Sequence, residues 1–183
     1  YGLRRSEILG LRWSDIDFET GTLQIRHKVA EVRINGKRQL VRSNDLKTEA
    51  SRRAFPLSDD IRQRLGHRKA QIEENRAKKR RYRTADADYV FVDVNGKLLS
   101  PEYVSDHFRW RIAHSDLPKI RFHDLRHTCA TLLLHEGCSL REIQSYLGHA
   151  SYLTTTRYAH IDARSKEHAL EIMSAVLNVD KGN

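Results

Sequence analysis

The sequence predicts one mainly α-helical domain that carries a small antiparallel β-sheet near its start. In the last third of the chain, apolar residues recur at helical spacing, and Gly137 and Gly148 divide that stretch into separate helices. Near the start, apolar and polar residues alternate on both sides of Asn35-Gly36, a dipeptide typical of a two-residue hairpin turn. A chain of 183 residues can bury the core of one such α+β domain.

The first third of the chain is predicted to contain a helix followed by the sheet. Leu3, Ile8 and Leu11 are spaced to lie on one face of that helix. From Thr22 the apolar period changes towards two, which predicts strands that join across the Asn-Gly turn into one sheet. The predicted strands span residues 22–34, 39–41 and 53–57.

The rest of the chain is predicted to be helical apart from one short strand. Ser100 can cap a helix that begins with Pro101, and Ser139 with Glu142 forms a capping box. Residues 89–94 are a short apolar run closed by an Asn-Gly pair, which predicts a buried strand. Helices are predicted after Ser58 and Ser100 and over residues 123–137, 139–148, 151–158 and 163–177.

The composition argues against two classes of protein. No apolar run approaches the length that a membrane span needs, so we expect no membrane partner. Two cysteines, Cys129 and Cys138, make no disulfide framework and indicate a reducing compartment. We therefore expect a cytoplasmic protein.

The positive charge is concentrated in one segment. The chain has a formal net charge of +9, and residues 62–83 carry ten basic and two acidic side chains, a net of +8. A basic segment favours a polyanionic partner such as nucleic acid, although such a run is often only a solvated helix face. Six side chains of the segment are candidates for contacting a DNA backbone: Arg68, Lys69, Lys78, Lys79, Arg80 and Arg81.

Chemically active side chains recur at defined spacings outside that segment. His123, Arg126 and His127 fall at i, i+3 and i+4, on one face of a predicted helix. His149 follows a glycine at a helix end, and Tyr158 lies nine residues further on. Each of these side chains alone has an ordinary structural explanation, and only their joint spacing points to a site.

This joint pattern resembles the catalytic domain of the tyrosine recombinase (phage integrase) family. The resemblance covers residues 2–158 in the family's order, and it implies the catalytic-domain fold of that family. The motifs that carry it are Gly2-Leu3-Arg4-Arg5-Ser6-Glu7-Ile8-Leu9-Gly10-Leu11-Arg12-Trp13, Leu46-Lys47-Thr48, His123-Asp124-Leu125-Arg126-His127-Thr128, and Leu147-Gly148-His149 with the following Tyr158.

The resemblance implies a set of side chains that bind the scissile phosphate of DNA. Arg4 and Arg126 would bind its oxygens, and His149 would donate a hydrogen bond to it. Glu7 would support the placement of Arg4. Two arginines suit this task because a guanidinium offers a planar, permanently charged pair of donors to phosphate oxygens.

A second set of side chains would attack the phosphate and move protons. By resemblance, Tyr158 is the nucleophile and forms a covalent 3′-phosphotyrosine. His123 would assist proton handling, and Lys47, in the turn before the strand at 53–57, would protonate the leaving 5′-oxygen. Because the phosphotyrosyl bond keeps the free energy of the cleaved bond, the reaction would need no ATP. Because side-chain cations would do the work of Mg²⁺, it would need no metal or other cofactor.

The resemblance also implies a role and partners. The chain would cleave and rejoin double-stranded DNA during integration or excision of a phage or mobile element. It would be a bacterial or phage-encoded protein that acts in the cytoplasm. We expect residues 1–183 to be a catalytic domain without the separate core-binding and arm-binding domains of the family, and hence to bind DNA weakly alone. Other protomers would complete a tetrameric synapse, with residues 163–183 docking on a neighbour.

Two other functions remain open from the residues. His123 and His127 have the spacing of a zinc-hydrolase helix, with Cys129, His135, Cys138 and His149 nearby in sequence. Residues 140–147 and 150–158 also resemble a helix-turn-helix, which would suit a DNA-binding protein without enzymatic activity.

Overall fold

A computed structural model of the chain describes residues 1–44, 53–148 and Thr155. The predicted helix-rich α+β domain is confirmed, while the predicted helices at 151–158, Thr155 apart, and at 163–177 lie outside the described residues. No helix among the described residues is both long and apolar enough to cross a bilayer. The described helices are α1 (Arg5–Gly10), α2 (Asp59–Lys78), α3 (Pro101–Ala113), α4 (Asp124–His135) and α5 (Leu140–Leu147), and the strands are β1 (Ile16–Asp17), β2 (Thr22–Ile25), β3 (Lys28–Ile34), β4 (Lys37–Ser43) and β5 (Arg53–Pro56).

The described strands form two antiparallel sheets where the sequence predicts one. β1, β2 and β5 form a three-stranded sheet in that order, and β3 and β4 form a separate two-stranded sheet. The Asn35-Gly36 turn between β3 and β4 has positive φ at both residues, as a tight hairpin requires. The division follows the two cores, because Leu23 of β2 packs with Phe55 of β5 in one cluster, whereas Val29 of β3 packs with Leu9 of α1 in another.

In the segment 89–94, Tyr89, Val90 and Val92 are buried as predicted, but Val94 is exposed and the segment does not form a regular strand. The Val90 N–H donates to the Leu11 carbonyl at 3.0 Å, and among the described residues the segment pairs through two isolated bridges, Tyr89 with Arg12 and Val92 with Leu98. The Arg68 guanidinium takes the place of a neighbouring strand, since it donates to the carbonyls of both Val90 (3.1 Å) and Val92. A long side chain therefore satisfies buried backbone groups that the sequence pattern assigns to a sheet.

α4 and α5 form a helical hairpin that positions the end of α5. Their facing sides bury Ala130, Leu134, Ile143 and Leu147 in a third apolar cluster. The predicted capping box at Ser139 begins α5, with the Ser139 hydroxyl accepting from Glu142 N–H at 3.3 Å. Gly148 ends the helix in the left-handed conformation, with φ 67° and ψ 51°, so the chain turns sharply just before His149.

Candidate active site

Arg4 stands at the residue before α1 and is held from two sides. Its Nη1 donates to Oε1 of Glu7 at 2.6 Å, and its backbone N–H donates to Oε2 of the same carboxylate at 2.9 Å. Its Nη2 donates to the Gly148 carbonyl at 2.9 Å, at the end of α5. The guanidinium is therefore fixed in direction while about a third of the side chain, 35%, stays exposed.

Arg126 lies in the first turn of α4, and its guanidinium also binds the C-terminal end of α5. It is buried, and it donates from Nη1 to the Gly2 carbonyl at 2.7 Å and from Nη2 to the Leu147 carbonyl at 2.6 Å. Leu147 and Gly148 are consecutive residues, so the carbonyls that hold Arg4 and Arg126 are adjacent. Carbonyl groups at a helix C-terminus carry partial negative charge, which favours the two cations there.

Glu7 is almost fully buried and supports Arg4 from below. Burial acts to raise the pKa of its carboxyl, but the charge of Arg53 and hydrogen bonds from Arg4 and Arg53 outweigh burial and bring that pKa below its usual value of 4.5. Glu7 is therefore ionised at neutral pH. Glu7 consequently joins Arg4 and Arg53 in an Arg–Glu–Arg chain of ion pairs.

Arg53, the second partner of Glu7, is not among the site residues that the sequence predicts. Its Nη2 donates to Oε2 of Glu7 at 2.9 Å. A signal for it exists in the strand pattern, because residues 53, 55 and 57 lie on one face of a strand. Phe55 and Leu57 are apolar and buried, so the same alternation directs Arg53 inwards.

His123 lies immediately before α4, one turn from Arg126. Its ring meets that of His127 edge to face, with centroids 5.0 Å apart. Burial lowers the pKa of His123 below 6.5, and the charges of His127 and Arg126 lower it further against the opposing effect of Asp124. The imidazole is therefore neutral at pH 7 and able to accept a proton.

Arg4 and His123 both line a cleft of about 690 Å³ between α1, β3, α3 and the segment before α4. Further cationic side chains line it, while Glu31 is the acidic residue on its wall. Arg109 and Arg121 are mostly exposed and pair with Asp106 and Asp124. The cationic side chains of the cleft are Arg4, Arg5, Arg109 and Arg121.

The basic segment 62–83 contributes no side chain to this cleft. Arg68 is engaged by the backbone carbonyls of Val90 and Val92, as described above. Lys69 lies over the ring of Trp13, with its Nζ 5.8 Å from the centroid, and Lys78 pairs with Glu74 on the helix surface. The other three candidates, Lys79, Arg80 and Arg81, are exposed where α2 ends.

Three predicted site residues lie outside the described residues: Lys47, His149 and Tyr158. Among the residues that the structure does describe, no three His, Cys, Asp or Glu side chains are grouped so as to hold a metal ion. Cys129 and Cys138 are free thiols. The structure thus brings Arg4 and Arg126 to the end of α5, with Glu7 holding Arg4 and with His123 on the cleft that Arg4 lines.

Comparison with known proteins identifies the family. Residues 1–165 match the model of the phage integrase family, and the chain belongs to that family. It is 30% identical over 180 residues to a XerC-like tyrosine recombinase of Caldanaerobacter subterraneus subsp. tengcongensis, covering 94% of this chain and 46% of that protein. It is 32% identical over 188 residues to the tyrosine recombinase XerA of Pyrococcus furiosus, covering 99% and 54%.

Solved structures confirm the predicted fold. The integrase of the Tn1549 transposon, in complex with transposon right-end DNA, superimposes with a TM-score of 0.68 at 23% identity, covering 93% of this chain and 55% of that one. The XerA recombinase gives a TM-score of 0.62 at 22% identity, covering 94% and 53%. The chain spans about half the length of the curated relatives it matches.

Proposed function

We propose that this chain is the catalytic part of a tyrosine recombinase, which cleaves and rejoins DNA strands through a covalent 3′-phosphotyrosine. One observation carries the proposal: Arg4 and Arg126, 122 positions apart in sequence, bind adjacent carbonyls at the end of α5, and His149 is the next residue. Two guanidinium groups fixed on adjacent carbonyls are suited to binding one phosphate. The names of the relatives, tyrosine recombinases XerC and XerA, agree with this function.

The arginine pair is suited to stabilising the transition state. Displacement at a phosphodiester spreads negative charge over the equatorial oxygens, so catalysis depends mainly on positioning and electrostatic stabilisation. Arg4 and Arg126 are already oriented by backbone carbonyls and Glu7, so little reorganisation is needed when charge develops. Arginine stays charged throughout, because its pKa lies above about 12.

Tyr158 and Lys47 would complete the reaction. The Tyr158 oxygen attacks phosphorus, the bond from phosphorus to the 5′-oxygen breaks, and Lys47 gives a proton to that leaving oxygen. A free phenol has a pKa of about 10, so Tyr158 must pass its proton to a neighbour, and the neutral His123 is a candidate acceptor. Attack by a 5′-hydroxyl on the phosphotyrosine reverses the step and joins the new strand.

A covalent adduct tests the proposed function. A DNA duplex nicked close to the cleavage site loses the short 5′-hydroxyl fragment and traps the intermediate. We expect the wild-type chain to form an SDS-resistant DNA adduct in the presence of excess chelator, and Tyr158→Phe to form none. An adduct of equal yield with Tyr158→Phe would contradict the proposal, and DNA binding with no adduct at all would favour the helix-turn-helix alternative. Cleavage that leaves no adduct and is lost in excess chelator would favour the zinc alternative.

The cleft beside Arg4 is the proposed path of the DNA backbone. The Tn1549 integrase is bound to transposon DNA in its structure, and a duplex presents phosphates at regular intervals on both sides of a cleaved bond. Arg109 and Arg121 line the cleft, and their side chains are 76% and 82% exposed, so they can leave Asp106 and Asp124 for phosphate oxygens. The six candidate side chains of the basic segment, Arg68, Lys69, Lys78, Lys79, Arg80 and Arg81, remain candidates for additional backbone contacts outside the cleft.

Replacing Arg109 and Arg121 together by glutamine is expected to weaken DNA binding more than the same change at Lys79 and Arg80. Each lost phosphate contact lowers the slope of log K against log salt by about 0.9, and at 0.1 M salt this weakens binding roughly five- to tenfold. The measurement is fluorescence anisotropy of labelled duplex at several salt concentrations. A larger loss of affinity and slope in the Lys79/Arg80 variant would place the DNA on the basic segment instead.

Assembly on DNA belongs to the same proposal. A recombinase related in fold, XerH, is bound to a palindromic difH substrate, with a TM-score of 0.53 and 24% identity. A palindrome offers two equivalent half-sites, which two copies of one protein can occupy symmetrically. We propose that protomers of this protein act together in a tetrameric synapse, that residues 163–183 dock on a neighbour, and that the reaction serves integration or excision of a phage or mobile element.

A further inference from the structure

Arg53 is a charged residue at the first position of β5 whose side chain is only 8% exposed. Burying a guanidinium is costly unless its charge is paired and hydrogen-bonded. Its partner is Glu7, the side chain of which is 2% exposed, and Nη2 of Arg53 lies 2.9 Å from Oε2 of Glu7. This ion pair joins β5 to α1 inside the protein.

Glu7 in turn determines the direction of Arg4. Its Oε1 accepts from the Arg4 guanidinium, and its Oε2 accepts from both the Arg4 backbone N–H and Arg53. The other end of the Arg4 guanidinium is held by the Gly148 carbonyl. A planar group held at both ends has one orientation, and displacing the carboxylate would release one of those ends.

Arg53 keeps the Glu7 carboxylate charged and in place. The charged groups that face Glu7 in the described structure are Arg4, at the start of its own helix, and Arg53, from β5. Burial raises the pKa of Glu7, and the charge of Arg53 is the largest of the effects that lower it. Without Arg53, the carboxylate would take up a proton more readily and would lose the hydrogen bond that fixes its Oε2.

We propose that Arg53 is a positioning residue for strand cleavage, which acts through Glu7 to hold Arg4 in the direction that binds the scissile phosphate. The inference rests on the proposed recombinase function. Arg53 need not touch the DNA itself.

The test compares adduct formation by Arg53→Gln and by the wild-type chain on the nicked DNA substrate. We expect the first-order rate of adduct formation to fall about 10- to 100-fold near pH 8, because a misdirected Arg4 binds the phosphate poorly. The ratio of variant to wild-type rate should fall further as the pH drops from about 8 to 6, because a buried carboxyl without its cation titrates at higher pH. Titrations common to both proteins cancel in this ratio.

Arg64→Gln is the matched control. Arg64 also pairs with a carboxylate, Asp60, but both side chains are exposed, at 73% and 64%. Its rate ratio is expected to stay near one at every pH. A merely structural role of Arg53 would lower the folded fraction, which circular dichroism and the melting temperature measure, without making the rate ratio depend on pH.

Several outcomes would overturn the inference. One is a folded Arg53→Gln variant with the wild-type rate, or with a rate ratio that does not change with pH. Arg53→Lys keeps the positive charge, so its rate ratio should be nearly independent of pH. If Arg53→Gln does not fold, the Arg53→Lys variant is the test instead, and an Arg53→Lys rate ratio that falls towards pH 6 would contradict the inference. If the wild type and Arg64→Gln form no adduct either, the proposed function is wrong rather than the role of Arg53.

Discussion

Replacing Arg126 by lysine is expected to slow strand cleavage about 10²- to 10³-fold, the usual effect of removing one preorganised donor from a site that stabilises developing charge. Arg126 is buried and donates to the Gly2 and Leu147 carbonyls, so its guanidinium is directed by two backbone contacts at 2.7 and 2.6 Å. A lysine ammonium keeps the charge but cannot bind two separate carbonyls and a phosphate with the geometry of a planar fork. The measurement is the single-turnover rate of adduct formation on the nicked DNA.

The matched control for this change is Arg64→Lys. Arg64 is an exposed arginine of α2 that pairs with Asp60, and a surface pair of this kind contributes little to stability because solvent screens it. We expect wild-type adduct formation from it. Because Arg126 also holds backbone groups together, the folded fraction of Arg126→Lys is measured by circular dichroism before rates are compared. A folded Arg126→Lys protein that cleaves within threefold of the wild-type rate would contradict the role of Arg126 at the phosphate.

Replacing Gly10 by alanine is expected to lower the free energy of unfolding by about 3 kcal/mol, at the upper end of the usual cost of overpacking. Gly10 is the last residue of α1, where the helix crosses the backbone that joins β2 to β3. A Cβ at this position would overlap the His27 carbonyl oxygen and lie 2.6 Å from the Lys28 Cα. Both are backbone atoms, so α1 as a whole must move away from β3. Urea denaturation of the wild type and the variant measures the loss.

Gly66→Ala is the control for that substitution. Gly66 lies within α2, and a Cβ added there meets no atom within 4 Å. Because alanine has the higher helix propensity, this change should raise the free energy of unfolding by about 0.5–1 kcal/mol. If the two variants showed equal stability, the close approach of α1 to the sheet would not constrain the fold. Since α1 also carries Glu7 and follows Arg4, we expect Gly10→Ala to slow adduct formation as well.

Local patterns in the sequence predict most of the described elements. Capping at Ser100 and Ser139, the left-handed glycines at 137 and 148, and the Asn35-Gly36 turn each depend on residues within one or two turns of chain. The family could be recognised for a related reason. Its motifs are short runs of residues, and their order along the chain can be read without knowing how the segments between them fold.

Contacts between distant segments could not be predicted in this way. The pattern at 89–94 predicts a strand because buried apolar residues look alike whether their carbonyls bind a neighbouring strand or, as here, the Arg68 guanidinium. The sequence pattern predicts that the β3–β4 hairpin shares a sheet with β5, whereas the two are in separate sheets. The alternation of apolar and polar residues predicts which residues form a strand, but not which strands are neighbours. Both differences concern hydrogen-bond partners chosen by packing.

The distribution of positive charge shows most directly what the sequence determines and what only the tertiary structure determines. By itself, the sequence determined that the chain is basic, that most of its net charge lies in residues 62–83, and that Arg4 and Arg126 belong to a family pattern. Only the tertiary structure brought Arg4 and Arg126 to adjacent carbonyls, paired Arg53 with Glu7, and placed Arg109 and Arg121 on one cleft. The physical reason is that net charge sums over residues regardless of position, whereas a site that binds phosphate depends on where a few guanidinium groups point, and their partners come from remote parts of the chain.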